Sequence, residues 1–97
     1  MFNSIPKEVD EYFKKGPKNL KKVWTKEPYT VIAEFDDGII KTSDLTDDLT
    51  GIMAILKDYN IFKTVCIDEN GSIAWDTANG HIDISKDNIY LYGKTLI

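Results

Sequence analysis

Arginine is missing from this 97-residue chain, and all twelve basic residues are lysine. The guanidinium fork is what grips guanine edges and phosphates with two parallel bonds. Its absence, together with a net charge of −4, argues against sequence-specific nucleic-acid recognition. Cysteine occurs once, as Cys66. That excludes an internal disulfide and favours a cytoplasmic protein. Histidine also occurs once, as His81. A zinc site needs several soft ligands at short spacing, and two distant ones do not supply them, so neither a metal nor a cofactor is expected. No apolar run approaches the roughly 20 residues of a membrane helix. The stretch Met1–Glu8 lacks a basic start followed by an apolar segment, so no secretory signal is expected either.

What is present is ordinary for a folded domain. The chain is 42% hydrophobic and 29% charged, which is not a disordered composition. Its length fits a single domain over residues 1–97. Charge is uneven. Residues 1–28 hold seven lysines against four acids, whereas residues 29–97 hold five lysines against twelve acids. An acidic surface suits a protein partner, and it suits plain solubility as well.

Apolar spacing predicts a first helix over residues 5–15, with Ile5, Val9, Tyr12 and Phe13 on one face. Asn3 or Ser4 would cap it, Pro6 fits its first turn, and Gly16-Pro17 would stop it. A strand near residues 20–25 and a turn at Glu27-Pro28 follow. Tyr29, Val31, Ala33 and Phe35 then alternate with polar or outward positions, the period of a strand. Asp36-Asp37-Gly38 predicts a hairpin turn into a partner strand at Ile39–Thr42. A helix is predicted over residues 46–57 with Gly51 as its weak point, preceded by a candidate cap at Asp44. Asp58 would cap a further turn through Phe62.

Thr64–Asp68 reads as a strand, turned back at Asn70-Gly71 into a return strand at Ser72–Asp76. Ile82 and Ile84 suggest a short extended piece, Ser85 a capped turn through Tyr90, and Leu91–Ile97 a tail that can pack. Short hairpins force antiparallel pairing. The expected fold is α+β: a mainly antiparallel sheet of about five strands with helices on one face. The order is helix, three strands, helix, two strands, short helix. Tyr29, Val31, Ala33, Phe35, Val65, Ile67, Ile73 and Trp75 would line one buried sheet face.

From Lys21 to Tyr90 the chain resembles the domain-of-unknown-function family 2442, a set of short bacterial proteins. The resemblance runs through Val23, Tyr29, Val31, Phe35, Asp37-Gly38 and Asp44-Leu45. It continues through Leu56-Lys57-Asp58, Phe62, Val65, Ile67-Asp68, Gly71, Ile73 and Trp75. Asn79-Gly80, Asp83-Ile84 and Ile89-Tyr90 close it. It covers roughly two thirds of the chain. The family usually places Pro-Asn-Gly directly after the tryptophan. Here Asp76-Thr77-Ala78 intervenes, and Ile89 stands in place of a Leu. Residues 1–17 are extra to the pattern, and residues 18–97 form the family-like core. The resemblance implies a small α+β domain of unknown biochemical activity. Some relatives precede a helix-turn-helix or lie beside a second small protein in a toxin–antitoxin-like arrangement. It implies no catalytic residues.

The candidate chemistry is thin. Cys66 is expected to face the sheet's second side as a small apolar residue, with a Cys66–His81 nucleophilic pair as the alternative. Asp68-Glu69-Asn70-Gly71 looks like a fragment of a calcium loop but is fully explained as a turn. Asp44, Asp47 and Asp48 form an acidic cluster before the predicted central helix, suited to capping or to docking a basic partner. Lys14, Lys15, Lys18, Lys21 and Lys22 lack the interleaved aromatics of a single-strand binder and read as a solvated helix end. Trp75, Asn79, Gly80, His81 and Asp83 are the group that could line a pocket or rim, against the plainer reading of Trp75 as core. The expected function is a non-enzymatic binding or regulatory module working through protein contact, antitoxin-like or accessory in its sharper form. A homodimer is compatible with it, and no membrane partner is expected. The alternative is a small-ligand domain with a pocket near Trp75 and Asp83.

Overall fold

A computed structural model describes residues 7–96 of the chain. The predicted cap at Asn3 or Ser4, and Ile5 and Pro6 with it, lie outside the described residues, as does the side chain of Val9.

The first helix, α1 (Lys7–Lys15), stops before Gly16-Pro17 as its sequence requires. Three antiparallel strands follow: β1 (Leu20–Lys26), β2 (Thr30–Phe35) and β3 (Ile40–Asp44). Val31, Ala33 and Phe35 point to one side of β2 and are completely buried. Thr30 and Ile32 point to the other and are buried as well. The register explains this: Ile32 sits between Trp24 and Thr42 on its flanking strands, so neighbouring side chains shelter it.

The predicted helix over 46–57 is instead two 3₁₀ segments, Thr46–Asp48 and Gly51–Lys57. Gly51 takes a φ of +60°, which breaks the path between them. Beyond it, Met53, Leu56, Tyr59 and Phe62 recur every third residue, the period of a 3₁₀ rather than an α-helix. Leu56 and Phe62 are buried, and Met53 and Tyr59 pack against the same core. The cap expected at Asp44 is not made: Leu45 holds the cap position of the first 3₁₀ segment with no side-chain cap bond, and Asp44 Oδ1 instead accepts from Thr46 N at 2.9 Å in the turn before it. The cap expected at Asp58 is made: its Oδ1 accepts from Asn60 N at 3.0 Å and opens α2 (Tyr59–Phe62).

Strands β4 (Cys66–Ile67), β5 (Ile73–Thr77) and β6 (Gly80–Ile84) pair in order as a second antiparallel sheet. The extended piece around Ile82 and Ile84 is thus a full hairpin partner of β5. Ser85 Oγ accepts from Asn88 N and caps α3 (Lys86–Tyr92). The tail adds β7 (Lys94–Thr95) to the edge of β3.

The architecture is α+β, with two sheets of four and three strands in place of a single sheet of about five. Val31, Ala33 and Phe35 from the larger sheet meet Ile73, Trp75 and Ile82 from the smaller in one core. Leu45, Leu49, Leu56, Phe62 and Ile89 complete it. The apolar residues expected on one sheet face therefore come from two faces turned toward each other. Trp75 stacks on Phe62 at 5.5 Å between ring centroids, and its indole N–H donates to the Phe62 carbonyl at 2.7 Å. That bond satisfies the one polar atom of a fully buried tryptophan. Among the described residues, no helix is long and apolar enough to cross a membrane.

Candidate functional site

The smaller sheet has two unlike faces, and its register dictates them. Ile73, Ile84, Trp75 and Ile82 occupy one face and turn inward, while Ile67, paired with Ile73 at the sheet's edge, is half-buried and borders the cleft. Alternation puts Cys66, Ala74 and Asp83 in a row across the other face, with Asp76 opposite His81 one step along. Asp68 follows Cys66 at the end of β4. This outer face holds a cleft of about 370 Å³, lined by Cys66, Asp68, Glu69, Asn70, Asp76, His81 and Asp83 among others.

Each functional side chain is held by local structure. Gly71 adopts a φ of +80°, which lets Glu69-Asn70-Gly71 close a three-residue hairpin loop. Asp68 Oδ1 accepts from the N–H groups of Asn70 and Ser72, both at 2.9 Å. Its second oxygen, Oδ2, is left to face His81 at 3.1 Å. At the other turn, Ala78 and Asn79 are the loop and Thr77 pairs with Gly80. Thr77 Oγ1 accepts from Asn79 N at 3.1 Å and donates to the Gly80 carbonyl at 2.8 Å. This turn sets His81 across from Asp76, whose Oδ1 lies 2.7 Å from His81 Nδ1. Asp83 Oδ2 lies 3.5 Å from His81 Nε2.

One imidazole is therefore ringed by three carboxylates. Its pKa is raised, because Asp76 and then Asp68 accept hydrogen bonds from the ring. The Asp68 carboxyl is lowered, first by the Ser72 N–H and, against the cost of burial, by His81 and the Asn70 N–H. Burial pushes the Cys66 thiol up, and the charges of Asp76 and Asp68 push it further. Cys66 Sγ donates to the Ala74 carbonyl at 3.5 Å. Among the described residues no hydrogen bond joins Cys66 to His81, although both line the cleft. A thiol held neutral, beside an imidazole engaged by carboxylates at both nitrogens, lacks the arrangement of an activated nucleophile.

The residues singled out from the sequence separate into three places. His81 and Asp83 are in the cleft. Asn79 and Gly80 are exposed in the turn that sets its register. Trp75 is on the opposite face of the sheet, wholly in the core, so Trp75 and Asp83 do not share a pocket. Asp47 and Asp48 are exposed in the first 3₁₀ segment, away from the cleft lining. Asp76 is the site member that sequence reasoning passed over, and Asp68 was read only as part of a turn. The expectation of no metal ligand set counted soft ligands alone. In the fold, atoms of Asp68, His81 and Asp83 lie within 4.8 Å of one another.

The fold and this face define a small two-sheet α+β domain that presents a carboxylate-ringed histidine on the exposed side of its smaller sheet. Comparison with known proteins finds no family model, no curated protein and no solved structure that matches the chain.

Proposed function

We propose that the protein is a non-enzymatic binding module whose working surface is the outer face of β4–β6, and that it recognises a cationic group on a protein partner. One observation carries this reading. Asp68, Asp76 and Asp83 converge on a single cleft around His81, on the face of the sheet that the core does not use. Clustering carboxylates raises repulsion among them, and folding alone does not call for it. Such a surface steers a basic partner in and rejects an acidic one. The resemblance to the bacterial family of unknown function agrees with a regulatory or accessory role, antitoxin-like in its sharper form, for a cytoplasmic protein. The exposed pair Asp47 and Asp48 is a second acidic patch for the same partner.

The test is capture of native partners by the wild-type chain and by an Asp76→Asn/Asp83→Asn double variant, both in chelator, at low and moderate salt. A basic protein retained by wild type at low salt and lost by the variant is the expected result. Identical partners and identical salt response would refute the assignment of this face. The same comparison with Asp47→Asn/Asp48→Asn reports on the second patch.

A further inference from the structure

The geometry points to a divalent transition-metal site formed by His81 Nε2, Asp68 Oδ2 and Asp83 Oδ2. This deepens the reading above, because it names a second kind of cation for the same face, and it rests on that face being a binding surface.

The spacing carries the argument. Nε2 is 3.1 Å from Asp68 Oδ2 and 3.5 Å from Asp83 Oδ2, and the three atoms lie within 4.8 Å of one another. A metal bound at about 2.1 Å by imidazole nitrogen and carboxylate oxygen has neighbouring ligands about 3.0 Å apart if octahedral and about 3.4 Å apart if tetrahedral. The two measured separations are edges of that kind. The third separation, between the two carboxylate oxygens, is within 4.8 Å and is the one that side-chain adjustment would close.

The supports are those a metal ligand needs. Asp76 Oδ1 engages His81 Nδ1 at 2.7 Å, which orients the ring and leaves Nε2 for the centre of the cleft. Asp68 has its Oδ1 tied by two backbone N–H groups, which aims Oδ2 at the same point. Its side chain is only 9% exposed, whereas Asp83 is half exposed. The site is therefore anchored on its inner side and open on its outer side, where water or a donor from a partner would complete the coordination.

The donor set selects the metal. One imidazole and two carboxylates suit zinc, cobalt, nickel, iron or manganese in the divalent state. The imidazole disfavours calcium and magnesium, which prefer all-oxygen shells. Cys66 is outside the triad, so the set lacks the thiolate that copper(I) favours. Asp76 acts as a positioning residue. Three carboxylates around one histidine also leave the cleft with a negative charge that a divalent ion offsets in large part.

The full chain, stripped by chelator and dialysed, is titrated with zinc chloride by calorimetry and with cobalt chloride by visible absorption. One equivalent of each should bind, and cobalt should give ligand-field bands. His81→Ala should abolish this binding with an unchanged far-UV circular dichroism spectrum. Asp76→Asn should weaken it by about 10–100-fold, the usual effect of removing a ligand's support. No binding by wild type would overturn the site, and so would binding that survives His81→Ala. The partner-capture test above is run in chelator, so the basic-partner reading stands or falls apart from this one.

Discussion

The hydroxyl of Tyr90 donates to Asp37 Oδ2 at 2.5 Å and so ties α3 to the turn between β2 and β3. Tyr90 also packs edge-on against Phe35, with ring centroids 4.9 Å apart. One side chain thus joins the core, a hairpin loop and the last helix. The bond favours neutral Tyr90 and charged Asp37. Asp37 pushes the tyrosine up to about 12 from its usual 10.0. Burial tends to raise the Asp37 carboxyl, but the Tyr90 hydroxyl and the Ile39 N–H outweigh it and leave it lowered. Tyr90→Phe should cost about 1–2 kcal/mol in a denaturant titration at neutral pH. The signs at the two ends of the pH scale are opposite in origin. The Asp37 contribution is present above its unfolded pKa and fades as pH falls through the lower folded value. The Tyr90 contribution is complete below pH 10.0 and fades as pH rises toward about 12. Tyr90→Phe should flatten both limbs of the stability profile.

His81 should titrate above 6.5 in metal-free protein, because Asp76 and then Asp68 stabilise the charged ring. Its contribution to stability is then complete below the unfolded pKa and is lost as pH rises through the folded one. Chemical shifts of the single imidazole, followed against pH, measure this directly. Asp76→Asn should move the midpoint down. A midpoint at or below the ordinary histidine value would mean the ring does not engage the carboxylates in solution.

Phe35 is fully buried where the two sheets meet. Phe35→Ala should cost about 3–5 kcal/mol. The pair Asp47→Asn/Asp48→Asn is exposed and should stay within about ±0.5 kcal/mol. Chemical denaturation of the two variants checks both statements. A loss below about 1 kcal/mol for Phe35→Ala would contradict the core assignment.

Tyr12 docks α1. Its hydroxyl donates to Asp87 Oδ1 at 2.5 Å and accepts from Lys18 N at 2.9 Å, and its ring lies 5.0 Å from that of Tyr90. Tyr12→Phe removes both bonds, leaving Lys18 N without this acceptor and Asp87 with Lys86 alone, and should cost about 1–3 kcal/mol. The loss should be local. Hydrogen exchange of the amides in residues 10–15 should quicken while those of β2 keep their protection. Equal acceleration in both would show that α1 and the sheets unfold as one unit.

Duplex DNA should bind no more tightly than about 10⁻⁴–10⁻⁶ M at physiological salt, the non-specific range. The lack of arginine and the net charge of −4 set this expectation. Fluorescence anisotropy with unrelated duplexes tests it, and nanomolar selectivity for one of them would refute it.

Local chemistry was the legible part of the sequence. The Gly-containing turns at residues 36–38 and 69–71, the caps at Asp58 and Ser85, and the helix stop at Gly16-Pro17 each depend on a few adjacent residues. The second sheet was not legible, since an apolar strand does not declare which partner will cover it. β7 was hidden because Lys94 and Thr95 are polar and offer no apolar alternation to read. The cleft turns on register. Residues 77–80 read as a loop, and the extended piece around Ile82 and Ile84 declares no partner strand. The fold narrows the loop to Ala78-Asn79, pairs Thr77 with Gly80 and sets Asp76 opposite His81. Once that pairing is known, Asp68, Asp76, His81 and Asp83 fall on one face by alternation alone.

The borders of the two sheets have a consequence for behaviour at high concentration. β4 and β7 are two residues long. β1 carries Lys21, Lys22 and Lys26, and β6 carries His81 and Asp83. A second chain seeking to extend either sheet through its backbone meets a ladder too short to hold it, or must crowd its own side chains against fixed charge. Stacking into ribbons is thereby discouraged on the strands that end each sheet. At these borders the encounters left open are those made by side chains.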